Sequence, residues 1–197
     1  MNKTKIAVLV SGGGTNLQAL IDYKPNNRYY DISLVISNNP DAYALTRASS
    51  SDIPTRIISK KDFKTQEEFE KQILITLEEN HIDLIVLAGF MCILSENFTS
   101  KCKNRIINVH PSLIPSFCGK GFYGLKVHEA ALKYGVKVTG ATVHFVNEIP
   151  DGGEIIMQKA VEVLPGDTPE ILQKRVMQQA EWIILPEAVD SISKNLI

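Results

Sequence analysis

The chain has little cysteine, no basic excess, few aromatic residues and no long hydrophobic run, and each shortage excludes something. Its three cysteines, Cys92, Cys102 and Cys118, are odd in number and nowhere spaced C-x-x-C, so they define neither a disulfide framework nor a zinc site. A reducing, cytoplasmic setting is expected. Lys and Arg total 21 against 22 Asp and Glu, a net charge of -1, which leaves no cationic surplus to neutralise a nucleic-acid backbone. After Met1-Asn2-Lys3-Thr4-Lys5, a short apolar run gives way to Ser11-Gly12-Gly13-Gly14, too soon for a signal-peptide core. The longest apolar run, Leu84 to Leu94, cannot span a bilayer. Neither export nor membrane insertion is expected, and there is no internal repeat, low-complexity tract or linker.

What the chain does have is the composition of a globular α/β protein. With 197 residues, 44% apolar and 22% charged, it can bury about 70% of its unfolded surface in one domain. Two β-branched runs, Ile6 to Val10 and Ile32 to Ile36, flank a helical stretch from Asn16 to Tyr23, the order of a βαβ unit, which predicts a parallel sheet. A strand near Thr55 to Ile58 and a helix from about Gln66 to Asn80 follow. Thr65-x-x-Glu68 introduces that helix as a reciprocal capping box, and Phe69, Ile73 and Leu77 form its buried stripe.

Asp83 to Ala88 and Arg105 to Val109 read as strands nearly continuous in apolar residues, as expected when helices cover both faces of a doubly wound, Rossmann-like sheet. After a helix near Lys126 to Tyr134, closed by Gly135, the pattern turns antiparallel: Thr139 to Val146, the turn Asp151-Gly152-Gly153, then Ile155 to Val163. About seven strands are expected. Thr168-Pro169 opens a helix running past Glu181, and Pro186 is expected to break it before a terminal helix.

Three segments could carry chemistry. Ser11-Gly12-Gly13-Gly14-Thr15-Asn16 lies between the first strand and the first helix, where glycines let backbone N–H groups and a helix N-terminus approach an anion. Leu17 stands where a dinucleotide fingerprint needs its third glycine, and no Walker lysine follows, so a phosphomonoester fits better than a dinucleotide. The bland alternative is a flexible turn capped by Thr15 or Asn16. Asn108-Val109-His110-Pro111-Ser112 ends a central strand, where open α/β sheets place ligands, and alternation puts Asn108 and His110 on one side. An amide that donates to an oxyanion beside an imidazole that moves a proton suits nucleophilic addition to a carbonyl carbon, although a capped strand end reads the same.

Asp151 is the third candidate. Its turn is ordinary by itself, but a carboxylate folded onto His110 would favour imidazolium and raise the histidine's pKa. His144 reads as a packing or hydrogen-bonding residue. His81 and His128 lack acidic or cysteine neighbours at ligand spacing, so no metal site is expected. The strand exit at Ala88-Gly89-Phe90-Met91 could accept a flat heterocycle or simply pack, and Glu181, near Gln178, could equally be a solvated helix face.

Together, Ser11-Gly12-Gly13-Gly14-Thr15-Asn16-Leu17-Gln18, Leu87-Ala88-Gly89-Phe90-Met91, Asn108-Val109-His110-Pro111-Ser112-Leu113, Val143-His144-Phe145-Val146 and Asp151-Gly152-Gly153 resemble the phosphoribosylglycinamide formyltransferases of purine synthesis, in order and approximate spacing over nearly the whole chain. The resemblance implies transfer of formyl from 10-formyltetrahydrofolate, a co-substrate, to the amine of 5-phosphoribosylglycinamide, without metal, by a monomer or homodimer. It implies a phosphate-binding half over about 1–100 and a catalytic and folate half over about 101–197. Gly14, Thr15 and Asn16 would then cradle the phosphate, and Gln178 and Glu181 would meet the substrate amine. Met91, Cys92, Ile93, Leu94 and Asn108 would contact the folate, with Asn108, His110 and Asp151 catalytic. Cys92 and Gln66 stand where arginines often occur in the family, and Cys118 to Gly124 is longer than its usual loop. The chain's end is not expected to leave room for the added domain of the related tRNA formyltransferases, nor its start for a deformylase's regulatory domain. A non-catalytic sugar-phosphate sensor is the rival from outside the enzymes.

Overall fold

In the computed structural model, which describes residues 3–23, 25 and 28–196, seven strands form one sheet. Met1-Asn2, read above against a signal peptide, lies outside the described residues. In chain order the elements are β1 (Thr4–Val10), α1 (Thr15–Asp22), β2 (Tyr30–Ser37), α2 (Tyr43–Ser49), β3 (Thr55–Ile57), α3 (Gln66–Glu79), β4 (Leu84–Leu87), α4 (Glu96–Lys101), β5 (Ile106–His110), α5 (Leu125–Tyr134), β6 (Val138–Phe145), β7 (Ile155–Glu162), α6 (Pro169–Val176) and α7 (Trp182–Leu196). The strand order is β3-β2-β1-β4-β5-β6-β7, with β1 to β5 parallel and β6 and β7 antiparallel, as the change of pattern after Gly135 implied.

Alternation along β1 divides its side chains between two cores. Ile6, Val8 and Val10 pack with Leu17 and Leu20 of α1, Ala44 and Ala48 of α2 and the apolar faces of α6 and α7. Ala7 and Leu9 pack on the other face with Phe69, Ile73 and Leu77 of α3 and Phe98 of α4. Burial on both faces is why these strands read as continuous apolar runs. The order reverses between β1 and β4, so their carboxyl ends diverge there and open the crevice in which such sheets bind ligands.

Two local expectations are corrected. Thr65 accepts the Glu68 N–H at 3.1 Å, but the Glu68 carboxylate accepts from Lys64 N at 2.9 Å, one residue ahead of the partner a reciprocal box requires. Pro186 does not break a helix. It lies inside α7, where Ile184, Leu185, Ala188 and Val189 are buried, and their packing outweighs one lost backbone hydrogen bond. The irregularity comes earlier, at Met177–Glu181, which is wound as a π turn. Helices α2 and α4, which the apolar periodicity did not reveal, are too short to carry much of a stripe.

Candidate active site

The loop after β1 is shaped by its neighbour α2. Gly14 is the N-cap of α1 with φ of 70°, and a Cβ there would come within 2.6 Å of Ala44 Cβ, so only glycine permits this bend and this approach. Neither Thr15 nor Asn16 is the cap, and no side chain caps α1. The first intrahelical bond runs from Gln18 N to Gly14 O at 2.9 Å, so the amides of Thr15, Asn16 and Leu17 have no carbonyl of their own helix to bond and face the crevice end of α1. Aligned peptide dipoles add positive potential there, which is what an anion needs. Beside it, Thr15, Gln18, Ala19, Arg47 and Trp182 line a cleft of about 380 Å³.

Asn16 also reaches across to the π turn, its Nδ2 donating to Glu181 Oε2 at 2.9 Å. Glu181 is buried rather than on a solvated face, and that burial pushes its carboxyl pKa up, against the pull of the Asn16 amide. The π turn, which swings one residue out of the α-helical register, is what presents it to α1. Asn16 Oδ1 and Trp182 Nε1 are buried here without a partner, polar atoms that a bound ligand could satisfy. Gln178, three residues earlier, is exposed.

The loop after β4 is tied to the first loop, since Met91 N donates to Ser11 Oγ at 2.8 Å. From the other side, Gln66 Nε2 donates to Ile93 O at 3.2 Å and to Glu70 Oε1 at 2.6 Å, and buried Glu70 accepts from Ser95 N at 2.7 Å and from the Ser95 hydroxyl. These bonds fix residues 91–95 in place. Met91 and Ile93 project outward, 59% and 70% exposed, Cys92 is half-buried, and Leu94 is buried in the core under α3. Cys92 and Gln66 are neighbours here, with Gln66 Nε2 4.0 Å from Cys92 Sγ.

The end of β5 gathers the remaining candidates. Antiparallel pairing sets Asn108 opposite His144 and His110 opposite Thr142, which puts both β5 residues and His144 on one face of the sheet. The chain then leaves β6, turns at Ile149 to Gly152, and folds Asp151 back over that face. Gly153 makes the fold possible, because a Cβ would sit 1.7 Å from Phe145 O. Asp151 Oδ2 lies 3.5 Å from His110 Nδ1, and Oδ1 lies 3.7 Å from His144 Nε2.

Each ring is held at its far nitrogen by a backbone carbonyl: His110 Nε2 donates to Phe117 O at 2.9 Å and His144 Nδ1 to Phe145 O at 2.7 Å. A carbonyl only accepts, so those nitrogens carry the ring protons, and a second proton on either ring would face Asp151. Asn108 Nδ2 lies 3.1 Å from His144 Nε2, which leaves its other N–H available to a ligand. Gly119 N donates to Asp151 Oδ2 at 2.8 Å, so the segment after Pro115 holds both His110 and Asp151.

The electrostatics differ from the expectation in one respect. His110 is 4% exposed, and burial drives its pKa below the usual 6.5 despite the raising influence of Asp151 and the Phe117 carbonyl. The expected rise is therefore overturned: removal from water costs the imidazolium more than its carboxylate neighbour returns. Burial would raise the Asp151 carboxyl, but the nearby His144 and His110 rings and the Gly119 amide together hold it below its usual 3.8. The pair is thus biased to neutral imidazole and carboxylate. Among the described residues no group of three His, Cys, Asp or Glu side chains is placed to hold a metal ion.

The structure brings Asn108, His110 and Asp151 together, sets Gly14, Thr15 and Asn16 at the start of α1, and joins Asn16 to Glu181. It gives Gln178 no such contact. Sequence reasoning missed His144 as a member of the cluster and missed the backbone of Phe117 and Gly119. The signal for His144 was its position on the strand leading into the Asp151 turn. The backbone contacts had none, because carbonyls and amides carry no residue identity.

The formyl transferase family model matches residues 4–189. Phosphoribosylglycinamide formyltransferase of Haemophilus influenzae is 42% identical over 183 residues, covering 92% of this chain and 84% of that protein. The trifunctional purine biosynthetic protein adenosine-3 of Homo sapiens is 46% identical over 99% of this chain, which spans only 19% of that longer relative. The solved phosphoribosylglycinamide formyltransferase of Coxiella burnetii superposes with a TM-score of 0.90 at 41% identity, covering 98% of this chain and 89% of that one. With the sheet order, the crevice and the family model in agreement over nearly its whole length, the chain belongs to the formyl transferase family.

Proposed function

We propose that this chain transfers the formyl group of 10-formyltetrahydrofolate to the amine of 5-phosphoribosylglycinamide, giving the formylated ribonucleotide and tetrahydrofolate. The observation that carries the reading is the cluster of buried His110 and His144 with part-buried Asn108 and Asp151 at the carboxyl end of β5, on the same sheet edge as an anion-accepting helix start. Relatives bearing the formyltransferase name over most of their length support it. One continuous sheet supports a single domain, with the loops after β1 and β4 binding and the β5 to β7 region catalysing. The described residues contain no helix long and apolar enough to cross a membrane; the proposed setting is the cytoplasm.

The substrate phosphate docks on the amides at the start of α1, with Gly14 giving the backbone room and Thr15 and Asn16 closing around it. Glu181, held by Asn16, accepts from the substrate amine and aligns it, and we assign the exposed Gln178 to the same substrate. The folate head lies along Met91 to Leu94, whose backbone offers polar contacts beside apolar side chains. The amine lone pair adds to the formyl carbon, the carbonyl electron pair moves to oxygen, and the free N–H of Asn108 donates to that oxygen. His110 takes up the proton that the attacking nitrogen sheds and passes it on, and the Asp151 carboxylate offsets the imidazolium charge in between. Collapse re-forms the C=O bond and breaks the bond to folate N10, while the proton from the attacking nitrogen ends on N10. The test is a formyl-transfer assay that follows tetrahydrofolate release with the ribonucleotide as acceptor.

A further inference from the structure

Three successive carbonyls of the glycine loop are taken up by the segment that leads into and forms α2. Ser11 O accepts from Asn39 Nδ2 at 3.3 Å, Gly12 O from Ala44 N at 3.0 Å, and Gly13 O from Arg47 Nε at 2.8 Å. In a trans peptide the C=O of one residue and the N–H of the next point in opposite directions. Seating these carbonyls on α2 therefore turns the amides of Gly12, Gly13 and Gly14 away from it, as a row of donors with a common concave side.

The last of the three bonds comes from a charged side chain with a second anchor. Arg47 Nη1 donates to Gln18 Oε1 at 3.0 Å, and its guanidinium lies 5.0 Å from the centroid of the Tyr43 ring. One rigid fork thus spans the glycine loop and the second turn of α1, and fixes their relative orientation. We infer that Arg47 is a positioning residue for the anion site: by holding the Gly13 carbonyl it aims the Gly14 amide, and its charge behind the loop adds to the positive potential in front. This rests on the phosphate-binding reading of the loop.

A lysine could not replace it fully. An ammonium is a single point of charge that can reach the Gly13 carbonyl or the Gln18 amide oxygen, whereas the guanidinium reaches both from fixed directions. A methionine keeps the apolar stem and removes both bonds.

The experiment compares the full chain with Arg47→Met and Arg47→Lys, measuring kcat, KM for each substrate, competition by inorganic phosphate, and Tm. Losing a charged donor to a backbone carbonyl should raise both the ribonucleotide KM and the phosphate inhibition constant about tenfold in Arg47→Met, leaving kcat and the folate KM within about twofold. Arg47→Lys should fall between Arg47→Met and the parent, and decides the matter alone should Arg47→Met fail to fold. An unchanged ribonucleotide KM in a stable variant overturns the inference. So does an equal rise in both KM values alongside a fall in Tm, which would make Arg47 a fold residue only. Failure of phosphate to compete with the ribonucleotide in the parent would instead remove the phosphate reading of the loop, and the inference with it.

Discussion

The two ends of the crevice are built differently. The anion end is local and made of backbone: residues 11–18 supply the bend, the helix start and the free amides, with α2 as backing. The reacting end is non-local and made of side chains, assembled from β5, the segment after it, β6 and the turn before β7. A local backbone site tolerates most side-chain changes and fails when its one special conformation is lost. A side-chain cluster fails at single atoms.

That contrast orders four expected outcomes, the first and largest at the reacting end. His110→Asn keeps polarity but removes the proton-accepting ring, and should lower kcat by about 10² or more while leaving ribonucleotide binding nearly unchanged. Equal turnover in the variant would take His110 out of the chemistry. Asp151→Asn should cut kcat by roughly tenfold or more. It also removes the one carboxylate that raises the His110 pKa, so the imidazole, already below its usual range, should titrate at still lower pH by NMR. An unmoved or rising His110 titration would break the coupling.

The anion end responds to backbone instead. Gly14→Ala forces an L-residue into a left-handed bend against Ala44, at a cost of about 1–2 kcal/mol before any overpacking, so Tm should fall by roughly 5 °C and the ribonucleotide KM should rise. Gly13→Ala, whose Cβ would meet nothing within 4 Å, should leave Tm nearly unchanged, and similar losses in both variants would contradict the local reading.

The last effect lies behind the reacting end and reads out in stability against pH rather than in turnover. His128 is fully buried with both ring nitrogens unpartnered, and burial, with the charge of His110 adding to it, pushes its pKa down to about 4. The unfolded chain therefore takes up this proton first, near pH 6.5, and stability should fall between there and about pH 4 by up to about 1.4 kcal/mol per pH unit for this group. His110, also lowered, steepens the slope, while the raised Glu181 opposes it at the acid end. His128→Leu should flatten the slope by about one proton over that window, as read from urea midpoints at stepped pH. A slope the same as the parent's would mean that His128 finds a partner in solution.

Legibility in the sequence follows the same division. The βαβ opening, the α3 stripe, the parallel-to-antiparallel change and the glycine bend could be read because each is encoded within one stretch of periodicity or one conformational demand. The pairing of Asn108 with His110 followed from alternation alone. The link to Asp151 needed the register of β6 and the length of the turn after it, and it was legible only through resemblance. His144 looked like packing because one histidine among apolar neighbours does not announce which strand it will face. The sign of the His110 shift was misjudged because a sequence reports the neighbouring charge but not the depth of burial, and here burial is the larger influence. Pro186 misled for a related reason: local propensity cannot register how many of its neighbours the core will bury.

Tetrahydrofolate release from 10-formyltetrahydrofolate, followed with the glycinamide ribonucleotide, initiator methionyl-tRNA and water offered as competing acceptors, tests the central claim most directly. Stoichiometric appearance of the formylated ribonucleotide, dependent on both small substrates and unaffected by tRNA, is the expected result. Release of formate without the ribonucleotide, transfer to the tRNA, or binding of both substrates with no turnover would contradict it.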